Sequence, residues 1–175
     1  QDWKMIKDYR IYEFCQKENI RVLDFTSKNY PYNLLNLGSP PPILYCKGEI
    51  LPKDEVSISI IGSRKYTEYG KACTKSFASE LASCGITIIS GMAYGIDAAA
   101  HQGALDAGGI TVAVLGCGIN RVYPVSNANL MKRIMQTGMV ISEYPPNTEP
   151  LKHHFPERNR IISGICKGTL VVEAT

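Results

Sequence analysis

From residue 56 onwards, the chain alternates between short apolar runs and longer segments whose apolar residues recur every three or four positions. The runs are rich in Val and Ile and are closed by Gly, Ser or Glu, which is typical of buried strands. They predict five strands, over residues 56–61, 86–90, 110–115, 139–142 and 169–172. The continuous apolar character, without a polar side chain at every second position, indicates a sheet that is covered on both faces.

The segments between these runs have helical spacing and helix-ending residues. They predict four helices, from about Tyr69 to Cys84, over 97–107, from Ser126 or Asn127 to Thr137, and over 157–166. In the first helix, an apolar stripe predicts the buried face, formed by Cys73, Phe77, Leu81 and Cys84. Gly85 follows this helix as a C-terminal capping glycine would.

Strand and helix in alternation, with short connections, predict a fold of the α/β class: a Rossmann-like, doubly wound parallel sheet with helices on both faces. Residues 1–55 lack this regular alternation of strand and helix, and we interpret them as a lead-in segment. It contains a short helix around Trp3, Ile6, Tyr9 and Ile11, a brief strand over 20–24, an extended proline run over 39–42, an edge strand over 43–46 and a linker over 51–54. We therefore divide the chain into residues 1–55 and a domain over 56–175, which ends so soon after its fifth strand that we expect it to be incomplete.

Composition and charge narrow the class of protein. Of the 175 residues, 45% are apolar and 20% are charged, which is typical of a globular chain and excludes a disordered or fibrous one. No apolar run reaches the roughly 20 residues of a membrane span, and the first residues do not resemble a signal peptide. The net charge of +3 is mild. Residues 1–56 are balanced in charge, so the basic surplus lies in the second part of the chain.

The six cysteines favour a reducing compartment over a disulfide framework. Several lie within or beside apolar patterns, where a thiol acts as a small apolar side chain. No C-x-x-C occurs, and the three histidines do not have ligand spacing, so we expect no zinc site. These observations predict a cytoplasmic, soluble protein.

Candidate chemistry is concentrated in the loops that follow the predicted strands. In open α/β sheets, ligands bind outside the carboxyl ends of the strands. The four loops cover residues 62–67, 90–97, 116–121 and 143–160. They combine glycines, whose amides approach anions closely, with the cations Arg64, Lys152, Arg158 and Arg160 and with the ring faces of Tyr66 and Phe155. Amides, cations and aromatic rings together are what a single-stranded nucleic acid requires.

Simpler interpretations of the same residues remain open. Gly62 and Gly91 can be turn glycines, Arg64 and Arg158 ordinary surface charges, and Phe155 a core residue. Asp97 can act with Glu143 as an acid and base pair, but at a helix start it is more often a cap or dipole partner. His101, one turn later, would then be its local hydrogen-bonding partner. Cys117 lacks a neighbouring His or Asp that would activate it as a nucleophile.

The dinucleotide-binding pattern is weak in this sequence. Residues 116–121 begin as G-x-G-x-x-G would, but the last position is Arg121 and the next helix starts late. No G-x-x-x-x-G-K-[ST] motif occurs, so an ATPase is not indicated.

Four ordered motifs carry a more specific signal. They are Ile60–Arg64; Ser90–Asp97 with Ala100 and His101; Ala113–Gly118 with Tyr123, Pro124 and Asn127; and Ser142–Pro146 followed by Phe155–Gly164. In this order and spacing, the motifs resemble the DprA/Smf family of bacterial DNA-processing proteins. The segment around Tyr30–Pro31 and Pro41–Tyr45 is similar to the lead-in of that family.

The resemblance implies a dimeric protein that binds single-stranded DNA during natural transformation, protects it and helps to load RecA. It implies no catalysis, no metal and no nucleotide cofactor. The implied DNA-binding residues are Gly62, Ser63, Arg64, Lys152 and Phe155, with Arg158, Asn159 and Arg160 nearby. Further contacts are possible in the loops, at Lys65, Gly91, Met92, Gly116 and Gly118. Family members continue past the fifth strand and often carry a preceding helical domain, which we expect to be reduced to its last helix or absent here.

Two other classes of function compete with DNA binding. One is an enzyme, a Rossmann-like nucleotide hydrolase of the phosphoribohydrolase type, but the Pro-Gly-Gly-x-Gly-Thr loop of that type does not occur. The other is a structural domain whose loops bind nothing, and the clustering of cations and glycines at one sheet edge argues against it.

Overall fold

A computed structural model describes residues 9–49 and 56–174. Within them, the chain forms a seven-stranded sheet in the order β1-β2-β6-β5-β4-β3-β7. The strands are β1 Arg21–Asp24, β2 Ile43–Gly48, β3 Ser57–Gly62, β4 Thr87–Ser90, β5 Thr111–Leu115, β6 Met139–Ser142 and β7 Gly168–Val172. The helices are α1 Tyr9–Lys17, α2 Glu68–Ser83, α3 Ile96–Asp106, α4 Ala128–Thr137 and α5 His154–Ile165.

The sheet is mixed. Strands β7, β3, β4, β5 and β6 are parallel neighbours, which confirms the predicted Rossmann-like core. Strand β2 pairs antiparallel with β6, and β1 pairs antiparallel with β2. The prediction that residues 43–46 form an edge strand is wrong: β2 lies inside the sheet, where Leu44 and Cys46 are fully buried.

Helices cover both faces of the sheet, as predicted. On one face, Ala113 and Leu115 of β5 pack with residues of α4. On the opposite face, Val112 and Val114 pack with Ile161 of α5 and its neighbours. Alternate residues of a strand point to opposite faces, so a strand covered on both sides is apolar throughout.

The buried face of α2 differs from the predicted stripe. Small residues form the buried face, namely Gly70, Thr74, Ala78 and Ala82. Phe77 is 47% exposed and Cys84 is also exposed, while Cys73 and Leu81 are half-buried. The reason is the close approach of α3, where a Cβ atom on Gly103 would lie 2.6 Å from the carbonyl oxygen of Lys75. Only small side chains fit between two helices at this separation.

The lead-in segment contributes strands to the same sheet. The hydroxyl of Tyr30 donates a hydrogen bond to the carbonyl oxygen of Pro41 at 2.6 Å, which anchors the proline run beside β2. A 3-10 helix over Tyr32–Asn36 connects β1 to this run. The predicted helical positions Trp3 and Ile6 and the predicted linker over 51–54 lie outside the described residues. The division of the chain at residue 55 stays a prediction.

Two boundary shifts affect the functional loops. Helix α5 begins at His154, three residues before its predicted start at Glu157, so that Phe155 lies on the first helical turn and not in a loop. Helix α2 begins one residue early, at Glu68, after the N-cap residue Thr67.

None of the described helices has the length and apolar character needed to cross a membrane. All six cysteines are free thiols.

Candidate nucleic-acid interface

A cleft of about 550 Å³ opens at the carboxyl end of the parallel strands. Four loops contribute to its walls, namely those that follow β3, β4, β5 and β6. The lining residues that carry polar or aromatic groups are Arg64, Asp97, Tyr123, Lys152, Phe155, Arg158 and Asn159. The carboxyl edge of the sheet is therefore the place where the predicted loops meet, as the topology requires.

The ring of Phe155 has a cation and a second aromatic ring beside it. The guanidinium carbon of Arg64 lies 5.2 Å from the ring centroid of Phe155, within the range of a cation–π contact. The ring of Tyr123 lies 5.4 Å away on a tilted plane. Phe155 is half-buried and Arg64 is exposed. A cation and two aromatic rings therefore face the same open space.

Gly116 makes room for this arrangement. A Cβ atom on Gly116 would lie 3.0 Å from Cδ1 of Phe155, which is closer than carbon atoms normally pack. Next to Phe155, buried His154 forms a hydrogen bond from Nδ1 to the carbonyl oxygen of Gly116 at 3.2 Å. The start of α5 is thus fixed to the end of β5, and Phe155 is held at the cleft.

Arg158 lines the cleft but is largely committed to the protein. Its side chain is only 3% exposed, and Nη1 donates to the carbonyl oxygen of Gly91 at 2.7 Å and to that of Val114. Burial lowers the pKa of Arg158, and the neighbouring carboxylate of Asp97 opposes this shift. The guanidinium therefore connects the ends of β4 and β5, and it shapes the cleft from inside its wall.

Asp97 supports the same region. It is 6% exposed, and burial raises its pKa while the charge of Arg158 lowers it. Its carboxylate accepts a hydrogen bond from the amide of Ala93 at 3.3 Å, four residues earlier, and lies in the first turn of α3. Its place in the first turn fits the predicted dipole partner, but Asp97 is not a cap, because the N-cap residue is Gly95 and no side-chain cap hydrogen bond forms. The predicted local partnership with His101 is wrong, because the ring of His101 forms its hydrogen bond with Thr111 at 2.7 Å.

Glu143 and Arg160 lie apart from the cleft lining. Arg160 forms an ion pair with Glu143 and donates through Nη1 to the carbonyl oxygen of Ser39 at 2.9 Å. Burial raises the pKa of Glu143, and Arg160 opposes the shift. This pair connects the lead-in segment to α5, so the structure does not bring Glu143 and Asp97 together as an acid and base.

The remaining predicted contacts lie around the cleft in two groups. Lys152 and Asn159 are exposed at its lining, and Asn159 also accepts a hydrogen bond from Nε of Arg158 at 3.3 Å. The predicted loop contacts do not belong to its described lining and instead hold or flank the loops, namely Lys65, Gly91, Met92, Gly116 and Gly118. Met92 has a positive φ of 60° and is buried, and its carbonyl oxygen accepts from the side chain of Asn127 at 3.0 Å.

The loop after β3 is fixed by Glu173, which sequence reasoning missed. The backbone carbonyl of Glu173 accepts the amide of Ser63 at 3.1 Å, and its carboxylate accepts the amide of Thr67 at 2.8 Å and the Thr67 hydroxyl. Within the loop, the hydroxyl of Ser63 accepts from the amide of Lys65 at 3.0 Å. Glu173 therefore holds both ends of the segment that carries Arg64.

Cys117 has the properties of a buried structural thiol. It is 1% exposed, and burial raises its pKa, which disfavours the thiolate that nucleophilic attack requires. Within the described residues, no three His, Cys, Asp or Glu side chains group closely enough to hold a metal ion.

Comparison with known proteins identifies the family. The sequence model of the family described as DNA recombination-mediator protein A matches residues 21–175. The chain belongs to this family. It is 40% identical to protein Smf of Escherichia coli over 162 residues, covering 92% of this chain and 43% of that protein. It is 37% identical to DNA processing protein DprA of Bacillus subtilis over 166 residues, covering 94% of this chain and 56% of that protein.

Solved structures of DNA processing protein A have the same fold. The crystal structure of the Streptococcus pneumoniae protein superposes with a TM-score of 0.86 at 36% identity, covering 94% of this chain and 58% of that one. The Helicobacter pylori protein, whose structure was described for its single-stranded DNA binding mode, superposes with a TM-score of 0.78 at 32% identity, covering 89% and 69%. This member of the DNA recombination-mediator protein A family spans about half the length of the curated relatives it matches.

Proposed function

We propose that this chain binds single-stranded DNA in the cleft at the carboxyl edge of its sheet. The observation that carries the proposal is the position of Arg64 beside the half-buried ring of Phe155, at 5.2 Å, in a cleft that four loops form together. A phosphate contact and a stacking surface are thereby available to the same nucleotide. Membership of the DNA recombination-mediator protein A family supports this assignment.

Each of the two contact types has its own residues. Arg64 and Lys152 are exposed cations of the cleft lining and contact phosphates. Phe155 stacks on a base, and the tilted ring of Tyr123 limits how that base can rotate. Phosphate contacts carry no sequence information and every base has a ring face, so binding is expected to be largely independent of sequence.

Residues with internal hydrogen bonds prepare the cleft for DNA. Arg158 keeps a positive charge in the cleft wall while it connects Gly91 with Val114. Asn159 is exposed at the lining and can donate from its amide to DNA, while its oxygen accepts from Arg158. Ser63 and Gly62 give the loop its path, because a Cβ atom on Gly62 would lie 1.9 Å from the carbonyl oxygen of Val172.

The wider role follows from the family and is part of the same proposal. It comprises protection of incoming single-stranded DNA, help in loading RecA, action as a homodimer and a cytoplasmic location. The support for these points is the resemblance of the motifs and the matched relatives, which are about twice as long as this chain. The proposal assigns no catalytic step, metal or cofactor to the chain.

The proposal is tested by fluorescence anisotropy of a labelled oligo-dT across a salt series. The parent chain, Arg64→Ala and a control, Arg133→Ala, are compared. Arg133 is an exposed arginine of α4 whose partner is Asp106, at 2.8 Å. We expect binding that weakens with salt, and a slope in the plot of log K against log salt that is about 0.7 shallower in Arg64→Ala, because one phosphate contact is lost. The control keeps the parent slope.

Two outcomes contradict the proposal. A parent chain that fails to bind oligo-dT at low salt removes the DNA-binding function from this part of the protein. Binding with equal slopes for the parent and Arg64→Ala places the DNA away from the Phe155 cleft.

A further inference from the structure

Two tyrosines form an exposed ring pair at the same edge of the sheet. The rings of Tyr66 and Tyr94 have centroids 5.9 Å apart on planes inclined by 43°. Tyr94 is 55% exposed, and Tyr66 is half-buried against the core between the sheet and α2. The ammonium group of Lys71 lies 5.4 Å from the ring of Tyr66. The function proposed above does not use this pair.

The ring of Tyr66 lies beside the backbone of Arg64, whereas the guanidinium of Arg64 lies beside Phe155. Gly95, which has a φ of 93°, brings the loops after β3 and β4 together. A Cβ atom on Gly95 would lie 3.0 Å from Cδ1 of Tyr66 and 3.1 Å from Cα of Arg64. From this point, the side chain of Arg64 extends until its guanidinium reaches the ring of Phe155. Arg64 thus connects the two aromatic groups, with Tyr66 at its backbone and Phe155 at its guanidinium.

The tyrosine pair has the same combination of groups as the cleft, an aromatic ring with a cation beside it. Each of the two aromatic surfaces has a cation beside it, and Arg64 lies between them. A strand whose phosphate contacts Arg64 has one base directed to Phe155 and the next base directed to the tyrosines. Base stacking on aromatic rings and phosphate contacts alternate in this way along single-stranded DNA sites.

We propose that Tyr94, supported by Tyr66, is a second base-stacking site, on which the DNA strand continues as it leaves the Phe155 cleft. The inference rests on the proposed function, since it extends the path of the same strand. Its ligand is an unpaired nucleotide with any of the four bases. A scattered exposed tyrosine needs no explanation, but a tyrosine pair with a cation beside it, adjacent to a cationic aromatic cleft, is what an extended strand requires.

The test is a length series. Labelled oligo-dT of about 3 to 15 nucleotides is titrated onto the parent chain, Tyr94→Ala, Tyr94→Phe and Phe155→Ala. For the parent, affinity is expected to rise with length until both stacking sites are covered. Tyr94→Ala is expected to lose about 5- to 150-fold in affinity for the longer strands and less than twofold for the shortest, while Tyr94→Phe keeps the parent affinity because it keeps the ring. Phe155→Ala weakens binding at all lengths.

Control variants guard against a structural cause. Tyr12→Ala removes another exposed tyrosine, from α1, and is expected to bind as the parent does. Tyr66→Ala provides a second variant of the pair and is expected to reproduce the loss for long strands.

The outcomes separate this inference from the proposed function. If Phe155→Ala weakens binding and Tyr94→Ala does not at any length, the second site is overturned and the first stands. If Tyr94→Phe is as weak as Tyr94→Ala, the hydroxyl and not the ring matters, which overturns stacking. If the parent itself does not bind at any length, both proposals fall.

Discussion

Nη1 of Arg158 donates a hydrogen bond to the carbonyl oxygen of Gly91 at 2.7 Å, and this contact joins helix α5 to the loop that follows β4. The same nitrogen also donates to Val114 of β5. A charged side chain that is 3% exposed remains charged only where such acceptors replace water. The arginine is therefore expected to contribute to folding as well as to the electrostatics of the cleft.

Replacement of this arginine tests that expectation. Arg158→Ala removes the side-chain hydrogen bonds to the carbonyl oxygens of Gly91 and Val114 and the positive charge beside buried Asp97, and we expect it to lower the free energy of unfolding by about 3 kcal/mol. Urea unfolding measures the change. Arg64→Ala, an exposed arginine of the same cleft, serves as the control and is expected to stay within about 0.5 kcal/mol of the parent. An Arg158→Ala chain as stable as the parent would show that the guanidinium serves the DNA alone.

Gly91 is expected to tolerate no side chain. A Cβ atom there would lie 2.5 Å from Nη2 of Arg158 and 2.6 Å from Oδ2 of Asp97, so both groups would have to move. We expect Gly91→Ala to destabilise the chain by about 1–3 kcal/mol. Gly38→Ala is the matched control, because a Cβ atom on Gly38 meets nothing within 4 Å. Thermal unfolding of the two variants side by side decides, and equal melting temperatures would refute the packing argument.

The ring of Phe155 is expected to matter for DNA and less for the fold. Phe155→Ala should weaken oligo-dT binding by about 1–3 kcal/mol, the usual contribution of one stacked base. Phe25→Ala, which removes a phenylalanine that is 58% exposed in the turn after β1, provides a control for loss of an aromatic side chain. Anisotropy titration at constant salt measures both. Equal affinities of Phe155→Ala and the parent would exclude the stacking role.

Glu173 is expected to act on DNA binding through Arg64. Its carboxylate accepts the amide of Thr67 at 2.8 Å, and its backbone carbonyl accepts the amide of Ser63 at 3.1 Å. Glu173→Ala should release one end of the loop, lower affinity for oligo-dT and flatten the salt dependence, while Glu173→Gln keeps an acceptor and recovers part of the loss.

A double-mutant cycle distinguishes this indirect role from a direct one. If Glu173 only positions the loop, its replacement changes little once Arg64 is already alanine, and the coupling energy is about 0.5–3 kcal/mol. Strictly additive losses in the double variant would mean that the carboxylate and Arg64 act independently.

The parallel core could be predicted from sequence because its strands are buried on both faces and therefore stand out as continuous apolar runs. The position of β2 could not, since antiparallel pairing with β6 is decided by the returning lead-in chain and not by the pattern of residues 43–46. The apolar stripe of α2 was misleading for a related reason. Close contact with α3 admits only small residues on the facing side of α2, so that the larger Phe77 lies outside the contact between the two helices.

In the candidate site, too, some features could be predicted from local sequence and others depend on contacts between distant residues. Glycines, cations and Phe155 after the strands could be found from their types and order alone. The commitment of Arg158 to Gly91 and of Arg160 to Glu143 depends on which side chains are buried next to one another across the fold. Glu173 reaches Thr67 across more than 100 residues of sequence, and no local signal announces it.

His101 makes the stability of the chain depend on pH. It is fully buried beside Thr111, and Nε2 has no hydrogen-bond partner among the described residues. Burial lowers its pKa to about 3, with a further contribution from the charge of Arg158. The folded chain thus keeps the imidazole neutral in a range where the unfolded chain, with an ordinary pKa near 6.5, binds a proton.

Stability from this residue is therefore complete above pH about 6.5 and falls by up to about 1.4 kcal/mol per pH unit as the pH drops towards 3. Asp97, whose pKa is raised by burial, contributes with the opposite sign but is present in every variant. We expect His101→Gln to have a smaller loss of stability between pH 7 and pH 4.5 than the parent, measured as urea midpoints. The difference in stability between the two chains at pH 7.5 measures the cost of the altered contacts. The difference in how steeply their stabilities change with pH measures the protonation of His101. Parallel lines for the two chains would show that His101 titrates normally in the folded state.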